Sequence, residues 1–149
     1  MSPRPRTSPK TRPDIPNASD RCPCLSGNTL GGCCGPLLSG ERSAATAEQL
    51  MRSRFTAFAT GDASYLLTSW HPSTRPETLE LDPAQRWYRL DIERTERGGL
   101  TDTEGVVEFR AYYRHPDGNG SQHEISRFGR EDNEWRYVDG AHGSAAAVI

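Results

Sequence analysis

All four cysteines of this chain lie within thirteen residues, one pair at Cys22 and Cys24 and a second pair at Cys33 and Cys34. Four thiolates at about 2.3 Å satisfy a tetrahedral Zn²⁺ ion completely. The glycine-rich loop between the two pairs can adopt the positive φ angles that a tight return requires. Because all four positions are thiols, no coordination position is left for water. The spacing therefore predicts a structural zinc site with Cys22, Cys24, Cys33 and Cys34 as ligands, and not a catalytic one.

The same cysteines have three other interpretations. Two disulfides are disfavoured because the sequence shows no secretory signal, cytosolic thiols normally stay reduced, and adjacent cysteines such as Cys33 and Cys34 rarely bridge. A redox pair would normally have the spacing Cys-x-x-Cys, which is absent here. Four free thiols without a role are the remaining interpretation. Zinc accounts for the spacing better than any of these.

Two histidines, His71 and His123, are the candidate general bases, because imidazole titrates near neutral pH. His123 is followed by Glu124, but neighbours on a strand point to opposite faces, so we do not expect these two to form a dyad. No glycine-rich phosphate loop, Ser-His-Asp set or paired-carboxylate motif is visible. The sequence leaves enzymatic activity open but favours a protein that is not an enzyme.

Arg52 and Arg54 lie on either side of the apolar stripe of a predicted helix. Arginine forks at such positions can hold a phosphate group or an acidic segment of a partner. More commonly they form surface ion pairs or lay their aliphatic stems over the core. For both residues we expect a surface ion pair or a stem laid over the core, and not a binding role.

The elements that must position these residues begin with helices. Thr46 predicts a helix N-cap with Gln49 in the capping-box position, and Gly61 is placed to end the helix. Its apolar stripe is formed by Ala47, Leu50, Met51, Phe55 and Phe58. Asp62 predicts the start of a shorter helix, which Pro72 ends.

After these helices the hydrophobic period changes from 3.6 to about 2. Strands are predicted over residues 87–95, 104–115, 122–130 and 135–139. In the first strand, Tyr88, Leu90 and Ile92 are expected to share one face. Glycine-rich and Asp/Asn-rich turns join the four segments into a meander. Helices followed by antiparallel strands predict an α+β fold, with the helices packed on one face of the sheet.

Composition limits the partners that we expect. Residues 1–20 contain five prolines and four Lys/Arg, so they predict a disordered basic tail, and residues 141–149 predict a flexible one. No apolar run is long enough to cross a bilayer, which predicts a soluble, cytoplasmic protein without a membrane partner. The remainder of the chain is net acidic and shows no concentrated basic face, so a nucleic-acid partner is not expected.

The two runs that hold the cysteines, CPCLSG at 22–27 and CCGPL at 33–37, resemble the SEC-C zinc motif. This motif is best known from the C-terminus of the bacterial preprotein translocase ATPase. The chain departs from it at two positions. Many SEC-C motifs have Gly where this chain has Leu25, and His where it has Cys34, and Cys34 is itself a valid zinc ligand.

The rest of the chain resembles the YchJ-like family of small bacterial proteins. The resemblance is carried by three runs, TAEQLMRSRF at 46–55, WHPSTRP at 70–76 and WRYVDG at 135–140. With the cysteine runs, it covers about residues 21–140. It implies a zinc knuckle over residues 21–40, joined to an α+β domain over residues 43–140 that is similar to nuclear transport factor 2. Such domains fold as a curved antiparallel sheet covered by helices, a cone also found in cystatins.

Domains of this kind often enclose a pocket between the sheet and the helices. Residues that could line it are Trp70, His71, Trp87, Tyr112, His123 and Arg127. For the two tryptophans, Trp70 and Trp87, packing in the core is the alternative that we favour, because burial of such rings contributes strongly to stability.

The resemblance does not imply an activity. By analogy with the SEC-C motif of the translocase ATPase, we hypothesise a non-enzymatic, zinc-stabilised module that binds a protein partner through its knuckle. The alternative is a small-molecule binder, or a hydrolase- or isomerase-type enzyme, that uses the cone pocket. In that case His71 or His123 would act as base and Arg127 would orient an anion. A redox or zinc-sensing switch, which requires reversible metal loss, is a third hypothesis.

Overall fold

The structure, a computed structural model, describes residues 16–142. Within that range the elements are α1 (Gly35–Leu38), α2 (Ala47–Thr60), α3 (Ala63–Thr68), β1 (Arg86–Arg97), β2 (Glu104–Arg114), β3 (Gly120–Glu131) and β4 (Glu134–His142). The strands form one antiparallel sheet in the order β1-β2-β3-β4. Helix α2 packs on the sheet against β1, β2 and β4. This confirms the predicted α+β fold.

Helix α2 begins and ends where the sequence predicts. Oγ1 of Thr46 accepts a hydrogen bond from the backbone N–H of Gln49 at 3.1 Å, and the Gln49 side chain accepts one from the N–H of Ala45 at 2.9 Å. Gly61 ends the helix with φ 78°, in the left-handed region. The carboxylate of Asp62 then accepts from the N–H of Tyr65 at 3.0 Å and begins α3. Local hydrogen bonds therefore fix both ends of the longest helix.

The first residue of α2 rests on the turn between β1 and β2. The N–H of Ala47 donates to the carbonyl oxygen of Gly98 at 2.9 Å. A Cβ added to Gly98, whose φ is +80°, would lie 2.8 Å from the Cβ of Ala47. A Cβ added to Gly105 would lie 2.5 Å from the Cα of Gly98. The turn predicted at Gly98 therefore has a second role, because only glycine lets the helix approach so closely.

The two central strands alternate as predicted. Val107, Phe109 and Ala111 of β2 are buried on the inner face, under the helices, while Glu108 and Arg110 lie on the outer face. On β3, the inner face carries Gln122, Glu124, Ser126 and Phe128.

Strand β1 departs from the prediction. Leu90 is buried, but Tyr88 is 41% exposed and lies on the outer face, with its ring centroid 6.4 Å from that of Tyr112. The register shifts between Trp87 and Arg89, so the alternation changes phase there. The prediction that Tyr88 and Leu90 share one face was wrong, because this bulge falls at Tyr88. The hydrophobic pattern of the sequence does not reveal such a bulge.

The knuckle, residues 21–40, is continuous with the core of the α+β domain. Cys22, Cys24 and Cys34 belong to the same buried cluster as Phe55 of α2 and Trp135 of β4. The indole N–H of Trp135 also donates to the carbonyl oxygen of Ala45 at 3.2 Å, in the segment between knuckle and helix. Folding of the knuckle therefore completes a core that the domain shares.

The predicted tails, residues 1–20 and 141–149, overlap the described residues at both ends. Residues 1–15 and 143–149, which belong to the predicted tails, lie outside the described residues. Within residues 16–20, the carbonyl oxygens of Ala18 and Asp20 each accept a knuckle N–H at 2.8 Å, so this segment is hydrogen-bonded to the knuckle. Strand β4 extends to His142, two residues past the predicted end of the domain. No helix within residues 16–142 has the length and apolar character needed to span a membrane.

Candidate metal centre

The sulfurs of Cys22, Cys24, Cys33 and Cys34 all lie within 4.8 Å of one another. Sγ of Cys33 is 3.6 Å from Sγ of Cys24 and 3.9 Å from Sγ of Cys34. A tetrahedron with metal–sulfur bonds of about 2.3 Å has edges of about 3.8 Å. The thiols are therefore arranged as a tetrathiolate metal site requires.

Short backbone hydrogen bonds shape the loop that carries the first pair. The N–H of Cys22 donates to the carbonyl oxygen of Asn28 at 2.9 Å, and the N–H of Leu25 to that of Cys22 at 3.0 Å. Leu25 has φ 63°, a left-handed conformation that glycine adopts without strain. Its side chain is 44% exposed at the tip of the turn. This conformation explains why glycine is usual here in SEC-C motifs.

Side chains of helix α2 contact the first pair of cysteines. Oγ1 of Thr56 lies 3.7 Å from Sγ of Cys22, and Nη1 of Arg52 donates to the carbonyl oxygen of Cys24 at 2.9 Å. Arg52 is itself held by Glu48, one turn earlier, at 3.0 Å. On the solvent side, the hydroxyl of Ser26 is 3.1 Å from Sγ of Cys33. Such surrounding contacts fix the orientation of metal ligands.

The electrostatics of the cluster favour thiolate at one position. Hydrogen bonds from Cys22 and then Cys34 lower the pKa of Cys24 to about 3. Hydrogen bonding to Cys22 and Cys24, followed by burial, raises the pKa of Cys34. Without a cation the four sulfurs cannot all ionise, because like charges at this distance repel. Binding of a divalent metal would therefore release protons.

Two clefts lie beside the contact between the knuckle and the α+β domain. One, of about 260 Å³, is lined by Cys33, Cys34 and Leu37 on the knuckle side and by Gln49 and Arg52 of α2. The other, of about 270 Å³, lies between α1, α3 and the start of β4. Leu37, Arg42 and Ser43 line both. The clefts exist only while the knuckle is folded against α2.

The six residues proposed to line a cone pocket do not share one. Tyr112, His123 and Arg127 lie on the outer face of the sheet, whereas Trp70 packs inside against Tyr137 at a centroid distance of 5.1 Å. Trp87 packs against Tyr113 on the inner face. The period-2 pattern separates the two faces of a strand but does not say which one the helices cover.

His71 and Arg127 do line one cleft, of about 460 Å³, at the end of the sheet where β1 ends and β2 begins. Nδ1 of His71 accepts from the backbone N–H of Ser73 at 3.1 Å, so the neutral ring carries its proton on Nε2. Arg127 is occupied by Asp139, which it binds through Nε and Nη2 at 2.7 and 2.6 Å. The pair alone does not provide a base with an oriented partner.

His123 takes part in an ion-pair network on the outer face, away from Glu124. Its Nε2 lies 2.7 Å from Glu108 and 3.7 Å from Glu93. Arg94 and Arg110 in turn contact these two carboxylates, at 3.1 and 3.6 Å. This confirms that His123 and Glu124 do not form a dyad. The three ligating groups are close enough to hold a cation, but the arginines already neutralise their charge.

Two charged side chains lie in the interior, and their burial was not predicted from the sequence. Arg54 is fully buried, contrary to the expectation of a surface role, and so is Glu124. Glu124 accepts hydrogen bonds from the hydroxyls of Tyr137 at 2.9 Å and Ser126 at 2.5 Å. Gly140 leaves room for this carboxylate, because a Cβ there would overlap it. One feature of the sequence could have indicated this buried polar cluster. In β3, the polar residues Gln122, Glu124 and Ser126 alternate in phase with Phe128 and so share its face.

Comparison with known proteins agrees with this architecture. A family model described as the middle nuclear transport factor 2-like (NTF2-like) domain of YchJ matches residues 46–140. A UPF0225 protein of Streptomyces coelicolor is 52% identical over 119 residues, covering 80% of this chain and 93% of that protein. A UPF0225 protein of Chromobacterium violaceum is 49% identical over 123 residues, covering 80% and 90%.

Two solved structures share the fold and the motif. The solution structure of a SEC-C motif containing protein from Rhodopseudomonas palustris has a TM-score of 0.71 and 32% identity, covering 83% of this chain and 98% of that one. The crystal structure of a SEC-C motif containing protein from Psychrobacter arcticus has a TM-score of 0.66 and 25% identity, covering 87% of each. The chain therefore belongs to the UPF0225 family of YchJ-like proteins, with a SEC-C motif ahead of an NTF2-like domain.

Proposed function

We propose that this protein is a non-enzymatic, zinc-stabilised binding protein of the cytoplasm that contacts a protein partner through its knuckle. The observation that carries the proposal is the closed set of four thiols in a core shared with the NTF2-like domain. A site without an open coordination position gives stability and shape, not metal-based catalysis.

Zinc is the metal that suits this site best. Four thiolates in tetrahedral array favour Zn²⁺, with iron as the other metal commonly held in this way. Elemental mass spectrometry of protein purified without added metal tests the assignment. We expect one zinc per chain and four thiols that become titratable only after chelation. Iron, or four freely reactive thiols without any metal, would contradict it.

The knuckle offers a partner two neighbouring features. Leu25 presents an apolar side chain at the tip of the first turn. The 260 Å³ cleft, with Leu37 at its base and Arg52 on its wall, separates the knuckle from α2. Protein interfaces commonly combine apolar contacts at their centre with polar groups around them.

The partner hypothesis is tested by affinity capture with surface variants that keep the metal ligands and with one variant that removes two of them. Leu25→Asp is the test variant, and Leu100→Asp is the matched control, because Leu100 is a leucine that is 73% exposed on the turn between β1 and β2, outside the knuckle. We expect partners recovered by wild type and by Leu100→Asp to be lost by Leu25→Asp and by a Cys33→Ser/Cys34→Ser variant. Identical recovery by all four proteins would contradict a role for the knuckle.

A second candidate function, small-molecule binding, is favoured by the 460 Å³ cleft that joins His71 to Arg127. A ligand selective for the folded protein raises its melting temperature, so a thermal-shift screen of metabolites tests this candidate. We expect a hit whose shift is lost in His71→Ala but kept in His123→Ala, since His123 lies in the separate outer network. The absence of any hit, or equal shifts in both variants, would exclude this cleft.

A further inference from the structure

Arg54 lies between α2 and the sheet with none of its side chain exposed. One end of the guanidinium is fixed, because Nη1 donates to the carbonyl oxygen of Leu66 at 2.8 Å and to Oγ of Ser69 at 2.7 Å. Its Cζ lies 5.1 Å from the centroid of the Trp70 ring and 4.5 Å from that of Tyr137. These contacts hold the guanidinium in one position.

The remaining edge of this guanidinium has two hydrogens without an acceptor. Nε and Nη2 of Arg54 are both buried, and neither has a hydrogen-bond partner among residues 16–142. One N–H bond of each atom points in the same direction. Such a parallel pair of donors can bind the two oxygens of a carboxylate or phosphate. Arg127 uses the same edge for Oδ1 and Oδ2 of Asp139.

A third donor lies in the same region. Nε1 of Trp70, in the ring packed on the Arg54 guanidinium, is buried and likewise has no acceptor within the described part of the chain. Buried donors are normally satisfied, because an unpaired one loses its hydrogen bonds to water without replacement. Three such donors together indicate a site that binds an acceptor.

The protein does not neutralise Arg54 by direct contact. Among residues 16–142 no carboxylate lies within ion-pair distance of it; the Glu124 carboxylate, which acts on Arg54 through its charge, accepts from Tyr137 and Ser126 at Oε2. Burial lowers the pKa of Arg54 to about 10, which still leaves the group protonated at neutral pH. A buried cation with a free binding edge attracts a small anion.

We propose that the Nε/Nη2 edge of Arg54 is a binding site for a small planar carboxylate, of about the size of formate or acetate. Its two oxygens accept from Nε and Nη2, and Nε1 of Trp70 supplies a third hydrogen bond. Trp70 is partly exposed whereas Arg54 is fully buried, so the ligand enters beside Trp70. This site is independent of the knuckle and of the protein partner proposed above.

The test follows the Nε–H resonances of arginine side chains in ¹⁵N-labelled, zinc-loaded, full-length protein. Arg54→Lys keeps the charge but removes the edge, and it identifies the Arg54 signal by its disappearance. We expect formate and acetate at millimolar concentrations to shift that signal saturably at constant ionic strength. Chloride is a single spherical acceptor that cannot give each donor an oxygen of its own, so it should bind at least tenfold more weakly. The Arg127 signal is the internal control and should not move, because Asp139 occupies its edge.

An Arg54 signal that formate and acetate leave unchanged, or that chloride shifts equally, would overturn the proposal. If Arg54→Lys does not fold, a crystal structure of the wild-type protein grown in formate decides the question. Planar density against Nε and Nη2 of Arg54 supports the site. A water molecule or the Glu124 carboxylate on that edge refutes it.

Discussion

Nη1 of Arg52, on helix α2, donates to the carbonyl oxygen of Cys24 in the knuckle at 2.9 Å, across 28 residues of chain. The same guanidinium is held from the other side by Glu48. This bond joins the metal-binding loop to the scaffold at a backbone atom of a ligand residue, so the geometry of the sulfurs depends on a helix that carries none of them.

We therefore expect Arg52→Ala to weaken both folding and metal retention. Loss of a charge-assisted hydrogen bond to a partly buried carbonyl should lower the free energy of unfolding by about 1–3 kcal/mol. Denaturant unfolding and the rate of zinc transfer to a chelator measure the two effects. Arg42→Ala is the control, because Arg42 lines both knuckle clefts but is exposed. Equal zinc release from both variants would show that the bond to Cys24 does not support the site.

Metal removal should destabilise the whole domain and not the knuckle alone. Three of the four cysteines lie in the core cluster with Phe55 and Trp135, so an unfolded knuckle would expose apolar surface of α2 and β4. We expect chelation to lower the melting temperature recorded by near-ultraviolet circular dichroism of the aromatic residues. Readdition of zinc should restore it. An unchanged transition after verified metal loss would show that the two units fold independently.

Gly140→Ala should be strongly destabilising because the added Cβ overlaps the Glu124 carboxylate. Overpacking of this kind costs about 1–3 kcal/mol, and displacement of a buried carboxylate from its bonds to Tyr137 and Ser126 adds to it. Gly99→Ala is the matched control, since a Cβ there meets nothing closer than 3.5 Å. Chemical unfolding compares the two. Similar midpoints would mean that Glu124 can move at little cost.

Leu25→Gly should stabilise the protein. The left-handed conformation at Leu25 costs a non-glycine residue about 1–2 kcal/mol, part of which glycine returns through greater freedom in the unfolded state. We expect a net gain of up to about 1 kcal/mol in chemical unfolding, with zinc content unchanged. Leu100→Gly, at another exposed leucine, should give no gain. A loss of stability at position 25 would mean that the side chain packs on the knuckle.

Stability should fall in acid through the pair formed by Arg127 and Asp139. Hydrogen bonding by Arg127 lowers the pKa of Asp139 below its ordinary value of 3.8. A depressed folded-state pKa stabilises the fold above the ordinary value, and the stabilisation is lost as the pH falls through the folded-state value. The side chains are 64% and 47% exposed, so the effect should stay below about 1 kcal/mol.

A double-mutant cycle isolates this contribution. Asp139→Asn and Arg127→Gln should each reduce the slope of unfolding free energy against pH below about pH 4, and the double variant should lose no more than either single one. Additive effects would assign the acid sensitivity to other carboxylates, among them Glu108, whose pKa is lowered by His123 and Arg94.

The sequence predicted well those features that short stretches determine. Thr46 and Gly61 mark the ends of α2 by their own hydrogen bonds and backbone angles. The four cysteines are so close in sequence that a short loop brings their sulfurs together. The turn between β3 and β4 followed from the preference of Asp132 and Asn133 for positive φ. In these cases the deciding interactions lie within a few residues.

The interior was not predictable in the same way. Arg54 lies four residues after Leu50 and four before Phe58, on the inward side of α2, but hydrophobic patterning counts arginine as a surface residue. Its burial depends on acceptors at Leu66 and Ser69 and on two aromatic rings, one of them more than eighty residues away. Partners at such separations are set by tertiary packing and leave no local signal.

Residues 70–74 lie along the edge of strand β4 that faces away from β3. Trp70 bridges Tyr137 in parallel, His71 donates its N–H to the Tyr137 carbonyl oxygen at 2.7 Å, and Thr74 donates to the carbonyl of Val138. These bonds occupy backbone groups that would otherwise recruit a strand from another molecule. At the opposite margin, β1 carries both arginines and acidic residues, among them Glu93, Arg94, Glu96 and Arg97, and charged side chains on an edge strand discourage the same event. Both margins of the sheet therefore resist pairing with a further strand, which opposes growth of the sheet into a polymer.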